Sequence, residues 1–221
     1  IATAIGNAPG AALVDAAAGS QLAIAESLTN LVWAPLTHGL KGVSLSANWM
    51  WPAKNEGENS RLYNAVQAVS DFAIQLGINI PTGKDSLSMT QKYPNGEVVY
   101  SPGTVIISAV AEVSDIRKTV SPALEPIVGS SLLYIDFSKD KFKLGGSSFA
   151  QVVNTLGTES PSIIDAAYFK KCFGVVQDLI SNNQILAGHD ISSGGLITTL
   201  LEMCFPVPNI GLDVNVSDLG S

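Results

Sequence analysis

The chain has 221 residues, 46% of them hydrophobic and only 14% charged, which suits one large globular domain or two ordinary ones with a substantial core. A net charge of -7 without clustered Lys and Arg excludes an extended nucleic-acid backbone or an anionic membrane as a partner. The longest apolar runs, such as 105–113, fall well short of the roughly 20 residues a bilayer-crossing helix needs, and no basic-then-apolar signal segment opens the chain, so the cytoplasm is the expected compartment.

From Ala11 to Val32, Val14, Ala18, Leu22, Ala25, Leu28 and Val32 recur at steps of three or four, which predicts a first helix. The alternation in 43–48 predicts a short strand. Trp49 and Trp51 follow, then a polar loop through Asn59 long enough to be functional. A second helix is predicted over 60–76, with Leu62, Ala65, Val69, Phe72 and Leu76 on one face and Gly77 at a left-handed cap. Ile78 to Ile80 reads as a strand, 92–99 as a hairpin turned at Asn95 and Gly96, and the β-branched run 104–113 as a buried central strand.

Between Arg117 and Gly129, Pro122 and Pro126 stand among polar residues, and a domain junction is placed there. The expected domains are therefore 1–120 and 129–221. The second half opens with a predicted strand at 131–137. Helices are then expected from Gly145–Gly146 through Leu156, over 163–182 and over 195–205, with short strands at 185–188 and 211–216. Alternating strands and helices with hairpin signals favour a mixed α/β (α+β) fold of two sandwich-like halves over a doubly wound sheet. The start at Ile1 and the stop just after a predicted strand suggest a piece of a longer protein.

Each candidate motif also has a plain structural explanation. Glu26 and Asn30, four apart on the first helix, project from one face and can share a hard cation; from spacing alone a solvated helix face or a helix-surface hydrogen bond is the favoured explanation. The segment 189–195 (His-Asp-Ile-Ser-Ser-Gly-Gly) lies between a predicted strand and a helix, where Asp190 can hold a cation and Ser192 can donate to a phosphate. Capping by Ser192 or Ser193 is the alternative, and His189 reads as an oriented structural residue. In 81–88, Gly83 permits close backbone approach, Lys84 can neutralise phosphate and Ser86 can hydrogen-bond it; a turn with an exposed Lys-Asp pair is the competing explanation. The glycine spacing rules out a Walker A loop. Gly145 to Ser148 is a possible anion cradle or a simple helix start, and Trp49 and Trp51 suit packing better than base stacking. Cys172 and Cys204 lack metal-site spacing and read as packed thiols.

Taken in order, the blocks 13–18 (LVDAAA), 25–30 (AESLTN), 46–50 (SANWM), 82–89 (TGKDSLSM), 144–147 (LGGS) and 189–196 (HDISSGGL) resemble the long, single-chain phosphoribosylformylglycinamidine synthase family over essentially the whole chain. The region resembled is the second of two homologous synthetase halves, running from its aminoimidazole-ribonucleotide-synthetase-like N-terminal domain, in part, into the companion C-terminal α/β sandwich domain, in part. The resemblance implies an ATP-dependent ligase of purine biosynthesis. ATP activates an amide oxygen of formylglycinamide ribonucleotide as an iminophosphate, and ammonia from glutamine displaces it.

By that resemblance Glu26, Asn30 and Asp190 are magnesium ligands of an auxiliary ATP/ADP cleft, and Ser192 touches its nucleotide. Gly83, Lys84 and Ser86 reach towards the catalytic cleft across a pseudo-twofold interface. No catalytic residue is expected in this chain. The first synthetase half, an upstream acidic ligand and the glutaminase domain are the missing partners, so the isolated piece is expected to be inactive. A related small-molecule kinase or selenophosphate-type synthetase, and a non-catalytic nucleotide-binding scaffold, are the alternatives.

Overall fold

The computed structural model describes residues 1–219. Its organising element is a four-stranded sheet in the order β1-β6-β2-β3, formed by β1 (Ala2–Gly6), β2 (Ser44–Met50), β3 (Asn79–Ser86) and β6 (Thr104–Ala111). β6 lies antiparallel to both β1 and β2, and β2 lies parallel to β3. The predicted central position of the 104–113 run holds: Val105, Ile107, Ala109 and Ala111 are buried on one face. β1 was not anticipated, because its inward residues are the small Ala2 and Ala4, which leave little hydrophobic alternation to read.

The first predicted helix is two helices, α1 (Pro9–Val14) and α2 (Ala16–Leu31). Asp15 divides them. Its backbone is extended (φ -141°, ψ 112°) and its carboxylate accepts hydrogen bonds from the N–H groups of Ala17 and Ala18, so it caps α2 instead of continuing α1. α3 (Glu58–Leu76) ends as expected at Gly77, whose φ of 75° is left-handed. α2 and α3 cover the sheet through Ile24, Leu28, Leu31, Val69, Phe72 and Leu76. Trp49 and Trp51 are buried, with ring centroids 6.3 Å apart, so core packing is the reading that holds for them. The 92–99 hairpin forms between β4 (Thr90–Lys92) and β5 (Val98–Tyr100), with Gly96 at φ 87° in its turn.

The second half contributes α4 (Ser148–Val152), α5 (Ala166–Ser181) and α6 (Gly195–Cys204). α4 is much shorter than the helix expected to reach Leu156. Segments 131–137, 185–188 and 211–216 do not form the predicted strands, and among the described residues no ladder partner runs beside them. Their hydrophobic pattern is real, but a strand needs a neighbour to satisfy its backbone groups. Of these helices α5 enters the main core, with Ile163 just before it and with Ile135, Phe137 and Ile185 packed against it; Phe169 meets Phe72 and Phe137 edge-on, with centroids 5.7 and 5.1 Å away.

Two glutamines tie α5 and its lead-in to the first half. The buried Gln177 donates through Nε2 to the carbonyls of Val32 and Ala34 (2.6 and 2.9 Å) and accepts from the Leu36 N–H (2.8 Å). Gln21 on α2 donates to the Ile163 carbonyl at 3.2 Å and accepts its N–H at 2.9 Å.

Candidate functional site

Helical spacing puts Glu26 and Asn30 one turn apart on α2, next to the loop that joins β1 to α1. Both Glu26 oxygens are engaged. Oε2 accepts the Asn7 N–H at 2.6 Å, and Oε1 accepts the Ser192 hydroxyl at 2.7 Å. Asn30 donates through Nδ2 to the Ile5 carbonyl at 3.2 Å. An open depression lined by Thr3, Ala4, Ile5 and Asn30 lies alongside, and a second, lined in part by Asn30, Trp33 and Val120, adjoins it. Neither reaches Glu26 or Asp190.

The 189–195 loop approaches α2 from the second half. Ser192 does not cap α6: Gly194 occupies the cap position and makes no side-chain bond, which leaves the Ser192 hydroxyl for Glu26. Asp190 turns towards His189. Its Oδ1 lies 3.3 Å from His189 Nδ1, and its backbone carbonyl accepts from Thr199 Oγ1 at 3.2 Å. His189 Nδ1 is hydrogen-bonded to the Asp190 backbone carbonyl at 2.8 Å and its Nε2 lies 3.2 Å from Glu202 Oε2, so this imidazole is an oriented residue. The structure thus joins Glu26 with Ser192 directly, keeps Asn30 on the same helix face, and holds the Asp190 carboxylate against His189.

Gly145 and Gly146 serve packing. A Cβ on Gly10 would stand 2.3 Å from the Gly146 carbonyl oxygen, so only glycines allow α1 and this loop to touch backbone to backbone. Ser147 then caps α4, accepting the Ala150 N–H at 3.1 Å. The Ser148 N–H reaches the Ser193 carbonyl at 3.4 Å, which links this loop to the 189–195 loop.

The Gly-Lys-Asp-Ser block does not follow a strand; it is the end of β3. Gly83 sits where a Cβ would come within 2.2 Å of the Ala47 carbonyl oxygen, and Lys84 and Ser86 share one face, their side chains hydrogen-bonded at 2.6 Å. That face is the one opposite the helices, where Asn48, Ser46 and Ser108 are only half-buried. It is well separated in the chain's architecture from the helix-covered face.

Two participants escaped sequence reasoning. Asn7 acts through its backbone N–H, which carries no side-chain signature, and Glu202 becomes visible only once α6 is known to face His189. Neither cysteine has a catalytic setting. Cys172 is buried, which raises its thiol pKa, and Cys204 is partly buried.

The model of the FGAR-AT PurM_N-like domain matches residues 1–112, and that of the AIR synthase related protein C-terminal domain matches 128–218. The chain is 47% identical over 221 residues to a probable phosphoribosylformylglycinamidine synthase, chloroplastic/mitochondrial, of Arabidopsis thaliana. It is 42% identical over 226 residues to a probable phosphoribosylformylglycinamidine synthase of Caenorhabditis elegans. These alignments cover 99% and 97% of the chain but only 15% and 17% of the relatives, so the chain spans about a sixth of their length.

Among solved structures, a T. maritima PurL complexed with FGAR superimposes with a TM-score of 0.60 at 12% identity, covering 91% of this chain and 31% of that one. T. maritima PurL complexed with ATP gives 0.55 at 12% identity, with 91% and 28% covered. At such identities these two show the shared mixed helix-and-sheet fold. With a family model spanning half of its residues, the chain belongs to the FGAR-AT PurM_N-like domain family.

Proposed function

We propose that this chain is part of an ATP-dependent ligase that converts formylglycinamide ribonucleotide and glutamine to formylglycinamidine ribonucleotide in purine biosynthesis. The observation that carries the reading is the hydrogen bond between Glu26 and Ser192, which brings two of the ordered sequence blocks, 166 positions apart, to one point. Identity to two synthases along nearly the whole chain supports it. The domains are read as 1–120 and 129–221.

In this reading Glu26, Asn30 and Asp190 hold Mg2+, and Ser192 contacts the ATP or ADP beside it. Two carboxylates and an amide oxygen are a hard-oxygen donor set suited to that cation. Among the described residues no three His, Cys, Asp or Glu side chains converge closely enough to hold a metal by themselves. Bound magnesium would neutralise phosphate charge. Gly83, Lys84 and Ser86 serve the catalytic cleft from the open sheet face, where the missing synthetase half completes it. Glutamine-derived ammonia comes from a separate glutaminase domain, and the 221-residue piece alone is inactive.

Among the described residues no helix is long and apolar enough to cross a membrane. The cytoplasm is the compartment proposed; the Arabidopsis thaliana relative carries chloroplast and mitochondrion in its name, so the fold itself does not set the location.

The test is turnover by the full-length protein that contains this sequence. Mg-ATP, formylglycinamide ribonucleotide and either ammonia or glutamine should yield ADP and the amidine. Absence of turnover with both nitrogen donors would refute the assignment.

A further inference from the structure

We infer that Asn95 is a site of self-modification: its side-chain amide is lost to the backbone nitrogen of Gly96, giving a cyclic imide that water opens to aspartate and isoaspartate, at a rate set by opening of the β4–β5 hairpin. Asn95-Gly96 is the one Asn-Gly pair in the sequence.

The reaction needs an amide carbon, the main-chain nitrogen of the next residue, and room between them. Glycine supplies the room, because it carries no Cβ. Asn95 Oδ1 accepts the Glu97 N–H at 3.1 Å, which draws electron density from the amide carbon. The leaving group, Nδ2, is held only by a 3.5 Å contact with Glu97 Oε2. Gly96 N gives its proton to solvent base and bonds to Asn95 Cγ; the Cγ–Nδ2 bond breaks, and Nδ2 takes a proton and departs as ammonia. Water added at Cγ then yields aspartate, and water added at the Asn95 main-chain carbonyl yields isoaspartate. No atom is oxidised or reduced.

The closed hairpin opposes this reaction. The Gly96 N–H donates to the Tyr93 carbonyl at 3.0 Å, and the Tyr93 N–H donates to the Glu97 carbonyl at 2.9 Å, so in the closed turn the attacking nitrogen is occupied. That closure is weak. β4 and β5 share three residue pairs, Thr90 with Tyr100, Gln91 with Val99 and Lys92 with Val98, and every residue from 90 to 100 is exposed. Two strands without a packed face are marginally stable in water, so the turn opens readily. Asn59 is the contrast: it also precedes a small residue, Ser60, but lies within α3. Isoaspartate inserts a methylene into the main chain at the turn, so reclosing cannot restore the original register.

The experiment incubates the 221-residue chain at neutral and at mildly alkaline pH and follows its proteolytic peptides by mass spectrometry, with enzymatic methylation of isoaspartate as a second readout. The peptide containing Asn95 should exchange amide for acid, release ammonia in equal amount, react faster at the higher pH and accept methyl groups, while the Asn59 amide persists. Val99→Gly takes a strand-forming side chain from the middle pair and should speed the loss about fivefold through a larger open population. Asn95→Gln, whose imide requires a larger ring, should abolish methylation of this peptide. An Asn95 amide that persists, or is lost no faster than that of Asn59, overturns the site; an unchanged rate in Val99→Gly overturns its control by hairpin opening.

Discussion

The two halves of the chain spend similar hydrophobic content very differently. In the first half every strand of the main sheet finds a partner, and α2 and α3 seal one face so that Ile24, Leu28, Leu76 and Ile107 are wholly buried. In the second half Val128, Leu133, Val152, Ile197 and Phe205 are largely exposed, and the strand-like segments have no ladder among the described residues. Apolar side chains alone do not make a core. They bury only where hydrogen-bonded elements give them a surface to share, and in the second half that surface is found chiefly by α5 and the residues packed around it, Ile163, Ile135, Phe137 and Ile185, on the first half.

Substitution at α5 should break this asymmetry most severely. Phe169→Ala removes a fully buried ring that meets Phe72 and Phe137, and should cost about 3–5 kcal/mol in denaturant unfolding. If the halves depend on each other as described, amide exchange should rise in both α3 and α5; a rise in α5 alone would show the first half to be independent. Gln177→Leu keeps the bulk but strands the Val32 and Ala34 carbonyls and the Leu36 N–H. An expected loss of roughly 2–4 kcal/mol follows from leaving such buried groups unpaired, and chemical denaturation measures it.

A pH-dependent effect should be smaller. The Asp140 carboxylate has its pKa lowered: burial pushes it up, but hydrogen bonds from Lys143, the Lys141 N–H and Ser162 outweigh that. Its folded pKa lies below its unfolded one, so its stabilisation is present above the ordinary value of 3.8 and is lost as pH falls below it. Asp140→Asn should therefore lower stability by about 1 kcal/mol at pH 7, with wild type and variant converging as the pH is taken below 3.8. Thermal melts across that range check the sign. The smallest effect on folding is expected for Ile197→Ser on the exposed face of α6, within about 0.5 kcal/mol, with less self-association in light scattering.

What could be read from residue order alone follows the same division. α3 and its Gly77 cap, β6 and the Asn95-Gly96 hairpin were legible because side-chain period, a left-handed glycine and a turn pair are local signals. The break at Asp15 was hidden because a capping aspartate between two alanine-rich runs keeps helical spacing on both sides. In 131–137 the strand pattern is present, but whether a neighbour exists to pair with it is not written in the segment itself. At the candidate site, spacing put Glu26 and Asn30 on one helix face and the loop pattern left Ser192 free to cap or to donate; only the ordered family blocks singled the three out. The Asn7 donor and the turn of Asp190 towards His189 are products of three-dimensional packing.

The glutamine joints have a consequence for how this molecule can drift. Gln21 and Gln177 grip Ile163 and the 32–36 stretch solely by peptide groups, which every amino acid carries, so the joint is indifferent to which side chains stand at the gripped positions. Replacement there is limited by packing alone, with one exception. Proline at 36 or 163 has no N–H to offer, and would remove one hydrogen bond from the joint without altering either glutamine.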